Sequence, residues 1–186
     1  PIQSLTIPML MTSTSDIIAQ AQTGTGKTAA FGLPLIEKLS PSADGVKAII
    51  LVPTRELALQ VTEELLSFNR FRKLSIAAIY GGASIIEQLR RLKKGIDIVV
   101  GTPGRTLDHI HRGTLDLTGV EYLVLDEADE MLNTGFIEDI EEIMAAMGDR
   151  KRVMLFSATM PARIVQLSKK YMNDTKVLKG DTAQVT

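Results

Sequence analysis

The sequence contains no cysteine and no tryptophan, and aromatic residues make up only 4% of its 186 positions. Without cysteine there are no disulfide bridges and no thiolate metal centres, which fits any compartment that does not rely on disulfide staples, the cytoplasm among them. The scarcity of aromatics leaves little material for a platform on which nucleic-acid bases could stack. No apolar run approaches the roughly 18 residues that a membrane span needs, and the N-terminus lacks the basic, apolar and small-residue succession of a secretory signal. A soluble, non-secreted, cytoplasmic chain that engages no membrane is therefore expected. Neither sign of charge prevails: 21 basic residues stand against 22 acidic ones, for a formal net charge of -1. There is no bulk attraction for a polyanion, so any grip on nucleic acid must be local. The chain opens at Pro1 without an initiator methionine, which points to a trimmed or processed N-terminus.

What is present describes one ordinary domain. Apolar residues at 45% and charged residues at 23% match soluble globular averages, and the length suffices for a single sizeable core. Short β-branched runs at 16–20, 48–52, 76–80, 96–100, 122–125 and 153–156 read as buried strands. Between them lie amphipathic patterns such as Phe136, Ile137, Ile140, Ile143, Met144 and Met147, whose spacing puts one apolar face on a sheet. This alternation predicts an α/β domain, with a mainly parallel sheet and helices on both faces. Ligands of such folds gather at the carboxyl ends of the strands. Pro41 to Gly45 is a turn-rich surface connection, and no repeat with a period of roughly 20 to 50 residues is visible. The domain is expected to span residues 1–178, with the polar stretch 179–186 beginning a tether.

Two motifs carry chemistry on their own. Ala21-Gln22-Thr23-Gly24-Thr25-Gly26-Lys27-Thr28 follows the first strand and opens a helix toward Lys38. Gly24 and Gly26 let the backbone curl so that successive N–H groups converge on phosphate oxygens at a helix N-terminus. Lys27 supplies a full charge for the β and γ phosphates, and the Thr28 hydroxyl suits magnesium. The plainer alternative is a glycine-rich turn that merely caps a helix. Tyr122 to Leu125 runs straight into Asp126-Glu127-Ala128-Asp129. There Asp126 can hold magnesium, and Glu127 can orient a water or accept its proton. Taken alone, these acids would equally suit a solvated helix start.

Further along stand Pro53-Thr54-Arg55-Glu56-Leu57-Ala58, Gly81-Gly82, Thr102-Pro103-Gly104-Arg105 and Ser157-Ala158-Thr159. Together with the two motifs above, in this order, they closely resemble the DEAD-box ATP-dependent RNA helicases over essentially the whole chain. The resemblance implies a RecA-like, P-loop fold that binds and hydrolyses ATP with Mg2+. Lys27, Asp126 and Glu127 would be its catalytic residues, and Thr28 and Asp126 its metal ligands. Gln3 and residues Ala21 to Thr28 would bind the nucleotide. Pro53, Thr54, Arg55, Gly81, Gly82, Thr102, Pro103, Gly104 and Arg105 would line a sequence-independent path for the RNA backbone. Ser157 and Thr159, on a strand lying beside that of Asp126, would bond the acidic motif, notably Asp129, through their hydroxyls and so couple hydrolysis to RNA release.

The resemblance also implies a second RecA-like half, carrying an arginine finger and the other wall of the RNA groove. The isolated chain is then expected to be a weakly active monomer. Gln3 matches a glutamine that reads adenine in the family, but the aromatic residue that should precede it is absent and Pro1 to Gln3 sit at a terminus expected to fray. Local readings stand beside these. Thr54 and Thr159 read as helix caps, Pro103-Gly104 as a helix-opening turn, and the arginines as possible ion-pair partners of nearby acids. His109 and His111 point to different helical faces without further ligands, and the eight methionines sit in apolar patterns that suit core filling. A DNA translocase and an ATP-gated RNA clamp are the rival readings.

Overall fold

The computed structural model describes residues 2–22, 26–42, 44–149 and 151–180. Fifteen elements follow one another: α1 (Ile2–Thr12), β1 (Ile17–Gln20), α2 (Lys27–Lys38), β2 (Ala48–Leu51), α3 (Arg55–Phe68), β3 (Ile76–Ile79), α4 (Ile85–Lys94), β4 (Ile98–Gly101), α5 (Pro103–His111), β5 (Tyr122–Leu125), α6 (Ala128–Asn133), α7 (Ile137–Ala145), β6 (Arg152–Ser157), α8 (Ala162–Tyr171) and β7 (Lys176–Lys179). The strands form one seven-stranded sheet in the order β3-β4-β2-β5-β6-β1-β7. Every pairing is parallel.

Strand side chains alternate between two cores, as a period of two requires. Ile49, Leu51, Leu123, Leu125, Val153 and Leu155 face one way, under residues of α7 and α8. Ala48, Ile50, Val124, Met154 and Phe156 face the other, under α1, α2 and α3. There Phe31 of α2 meets Phe156 edge to face, with ring centroids 5.3 Å apart. Because both faces are covered, the central strands read as continuous apolar runs without polar alternation. That is why composition and periodicity identify them.

The structure departs from the sequence reading at both ends. A seventh strand, β7, pairs with β1 along the sheet edge. It is short and mostly exposed, with Lys at both ends, so it lacks the apolar run that marks a buried strand. It continues through Lys179, so a tether beginning there would start inside the sheet. At the other end, Ile2 to Thr12 form a helix rather than a frayed tail, with Ile2, Thr6 and Leu10 buried.

Arg152, at the start of β6, holds that helix. Its guanidinium donates to the carbonyls of Leu10 at 2.9 Å, Met9 at 3.2 Å and Ser15 at 2.8 Å. The first two belong to the last turn of α1, where a cation suits the dipole; the Met9 carbonyl also accepts from the Ser13 amide at 3.0 Å. Replacing Arg152 with Met keeps much of the volume but removes all three of these bonds. The expected cost is about 3 kcal/mol, measured by urea unfolding, with amide exchange accelerating first in α1. Unaltered protection of α1 in that variant would contradict the bracing role.

Candidate functional site

The carboxyl ends of the parallel strands lie along one rim, and strand order fixes which motifs become neighbours. From β1 the rim passes β6 to reach β5, so Lys27 and Asp126 belong to strands separated by two spacings, roughly 10 Å. Lys27 crosses that distance: its Nζ lies 3.0 Å from Asp126 Oδ1 and 3.4 Å from Glu127 Oε1. The Lys27 and Asp126 side chains are 7% and 0% exposed, which makes this a buried ion pair. Neither Asp126 oxygen accepts a well-aligned hydrogen bond from a described residue. Burial pushes the Asp126 carboxyl above its ordinary range, against the pull of Lys27.

Consecutive strand residues point to opposite faces, so two adjacent carboxylates would not ordinarily meet one cation. The backbone at Glu127 solves this by turning left-handed, with φ 53° and ψ 52°. For a residue with a Cβ this conformation costs on the order of 1–2 kcal/mol. It allows Asp126 and Glu127 to approach the same ammonium.

The P-loop closes the site from β1. Ala21 is buried, and its amide bonds the Ser157 carbonyl at 3.1 Å, so β6 steadies the loop's departure. Thr23, Gly24 and Thr25 lie outside the described residues. Gly26 has φ 75°, and α2 starts at Lys27, with Thr28 buried in its first turn. Gln3 Nε2 donates to the Gly26 carbonyl at 3.1 Å. A side chain at position 26 would collide with that amide as well as strain the backbone. Gln3 is therefore in place beside the loop, delivered by a formed helix.

Beside β5, the end of β6 carries the serine and threonine motif. Ser157 Oγ accepts from the Asp129 amide at 3.1 Å and donates to the Thr159 carbonyl at 2.6 Å. Thr159 bonds Asp129 Oδ2 through its amide at 3.0 Å and its hydroxyl at 2.9 Å. Burial would raise the Asp129 carboxyl, but the bonds from Thr159 and Ser157 outweigh it and hold the group below its ordinary value. Thr159 does not cap a helix: α8 begins at Ala162 with Pro161 at the cap position. Its hydroxyl is committed to Asp129 instead.

Farther along the rim, β2, β4 and β3 present the remaining motifs. Thr54 caps α3, its Oγ1 accepting from the Leu57 amide at 3.1 Å. Pro103 opens α5 behind Thr102. Pro53 and Pro103 are buried, while Thr54, Arg55, Gly81, Gly82 and Gly104 face solvent. Arg55 lies 5.0 Å over the Tyr80 ring, a cation–π contact. Arg105 bonds the Ala83 carbonyl and Gln88 Oε1, at 3.1 and 3.2 Å, and its nearest carboxylate contact is Asp108 at 3.9 Å. Tyr80 and Gln88 escaped the sequence reading. The signal for Gln88 was a lone amide set among Ile85, Leu89 and Leu92 on α4's apolar stripe.

The chain is similar to known proteins in sequence and in fold. A family model described as DEAD/DEAH box helicase matches residues 1–167. The chain is 50% identical over its whole length to the DEAD-box ATP-dependent RNA helicase CshA of Bacillus subtilis, of which it spans 37%. It is 54% identical over 96% of its length to a probable ATP-dependent RNA helicase of Methanocaldococcus jannaschii, spanning 48% of that protein. The chain thus spans less than half the length of these relatives. Among solved structures, a DEAD box protein from the hyperthermophile Methanococcus jannaschii superimposes with a TM-score of 0.92 at 54% identity, covering 97% of this chain and 49% of that one. A hypothetical ATP-dependent RNA helicase from Sulfolobus tokodaii gives 0.88 at 37% identity, covering 96% and 52%. With the family model covering most of its length and the site residues in family order along one rim, the chain belongs to the DEAD/DEAH box helicases.

Proposed function

We propose that this chain is the ATP-binding half of an ATP-dependent RNA helicase: it binds and hydrolyses Mg-ATP and grips one RNA strand, separating short duplexes once joined to a second RecA-like half. The observation that carries this reading is the convergence of Lys27, Asp126 and Glu127 across β6. Lys27 is the charge for the β and γ phosphates, and Gln3 beside Gly26 the contact for the base. Asp126 suits a divalent cation, since its buried oxygens lack other well-aligned donors; Thr28 is its partner ligand. Such an ion would supply charge neutralisation at the phosphates. Glu127, turned toward the same space by its left-handed backbone, orients the attacking water and takes its proton. The working domain in this reading includes β7 through Lys179, with the chain beyond leading toward the second half.

On the other side of Asp126, Thr54, Arg55, Gly81, Gly82, Thr102, Gly104 and Arg105 form the RNA path. Helix starts, glycine amides and arginines hold phosphates without reading sequence. Pro53 and Pro103 lie beneath, shaping the helix entries rather than touching the strand. Asp129, bound by Ser157 and Thr159, joins the two halves of the rim and couples hydrolysis to RNA release.

Replacing Lys27 with Met is expected to lower RNA-stimulated ATP hydrolysis by the intact protein on the order of 10²-fold or more. The same change leaves Asp126 without its cation. Because the folded-state pKa of Asp126 lies above its unfolded value near 3.8, its ionised form weakens the fold at neutral pH. That penalty is relieved as pH falls through the folded value. The stability deficit of the variant relative to the parent, read from urea unfolding, should therefore narrow from about pH 7 to about pH 4. A deficit that does not vary with pH would rule out the pairing.

Changing both Ser157 and Thr159 to Ala is expected to spare ATP binding while abolishing strand separation by the intact protein. Unwinding assays on a short duplex check this, and full unwinding would refute the coupling role. Long-lived RNA binding by the parent protein without any strand separation would favour a clamp over a helicase.

A further inference from the structure

Gln88 lies on α4, outside every motif, and is only 6% exposed. A buried amide weakens a fold unless its groups are bonded, and both ends of this one are. Its Nε2 donates to the Tyr80 carbonyl at 2.9 Å. Its Oε1 accepts from Arg105 Nη1 at 3.2 Å and lies 2.9 Å from His109 Nε2. Chemistry fixes the orientation, because a guanidinium only donates and a carbonyl only accepts. His109 must then present its Nε2 proton to Gln88, while its Nδ1 lies 2.9 Å from the Thr114 hydroxyl, which also bonds the His109 carbonyl at 3.1 Å. Burial, and after it the charge of Arg105, keep this imidazole below its ordinary value, which favours the neutral ring.

Two partners of this amide, the Tyr80 carbonyl and the half-buried Arg105, belong to the rim. The Tyr80 carbonyl immediately precedes Gly81 and Gly82, and the Tyr80 ring lies under Arg55. Arg105 Nη1 is shared between Gln88 and the carbonyl of Ala83, on the far side of the same glycine pair. One side chain thus ties the start of the glycine loop to the arginine of α5, with His109 closing the bond set from behind. Arginine has many rotamers, and a phosphate contact made by a free one loses affinity to the ordering of the side chain. Arg105 is already ordered.

We propose that Gln88 is a positioning residue for the nucleic-acid grip, setting Arg105 and the Gly81-Gly82 loop in one arrangement before an RNA backbone arrives. Its ligand chemistry is the phosphodiester of a single strand, engaged through Arg105 rather than by Gln88 itself. The inference rests on the reading of this rim as the RNA path.

The test is a double-mutant cycle in the intact protein, with a fluorescent oligouridine as probe and a non-hydrolysable ATP analogue present. Arg105→Ala examines the RNA path, and Gln88→Met examines the positioning. Gln88→Met is expected to weaken binding about tenfold, the size of one hydrogen bond to a charged group. The double variant should lose less than the product of the two single losses, since Gln88 acts through Arg105. Gln88→Asn keeps an amide but shortens its reach by one methylene, and it should show the same non-additive loss if the Met variant folds poorly. Weakening by Arg105→Ala with none from either Gln88 variant overturns the inference and leaves the RNA path intact. Fully multiplicative losses also overturn it, because Gln88 would then act elsewhere. If Arg105→Ala itself binds like the parent, the RNA-path reading fails and the inference fails with it.

Discussion

Everything at the rim is arranged around one ammonium group. Lys27 stands at the start of a helix that leaves β1, yet its charge is spent two strands away, on Asp126 and Glu127. A carboxylate as deeply buried as Asp126 would be intolerable alone, because nothing in a dry interior replaces its hydration. Lysine makes it tolerable. The pair in turn fixes how the P-loop helix, β6 and β5 sit relative to one another, since a shift of an ångström would break it. A left-handed residue directly after the aspartate is part of the same constraint: the chain accepts local strain there to bring a second carboxylate to the same point.

Strand order then divides the work. The loops after β1, β6 and β5 carry the groups suited to phosphate and metal, while those after β2, β4 and β3 carry the exposed glycines, the arginines and the helix starts, of which α3 is capped by Thr54. The two sets share a border between β5 and β2, whose register pairs Leu51 with Leu125, one residue before Asp126. Asp129 leans from that border toward β6, where Thr159 and Ser157 hold it. A sheet with the same strands in another order would keep every motif and lose every one of these adjacencies.

This separates what could be read from the sequence from what could not. The central strands were legible because burial on both faces leaves them uniformly apolar, and the P-loop because Gly26, Lys27 and Thr28 occur where a strand becomes a helix. Thr54 was legible as a cap because capping is local. Thr159 was misread as a cap for the complementary reason: its hydroxyl is claimed by Asp129, thirty positions earlier in the chain, a bond that the family resemblance implied and no local pattern announces. β7 was missed because an edge strand with exposed lysines needs no apolar run. The helix α1 was missed because what braces it is Arg152, on the opposite side of the sequence. Long-range hydrogen bonds, invisible to periodicity, account for each of these gaps.

β6 has both of its ends engaged. Arg152 at one end anchors the helix that brings Gln3 to Gly26, and Ser157 at the other receives Asp129. These two attachments are five residues apart, roughly 17 Å along an extended chain. The strand is thus a gauge whose length sets the span between the base-side helix and the acidic turn. Losing or gaining a single residue in it would invert the facing of every side chain beyond that point and spoil both attachments at once. Volume-conserving apolar exchanges on its buried faces should be tolerated in evolution, while insertions and deletions within it should be almost unknown.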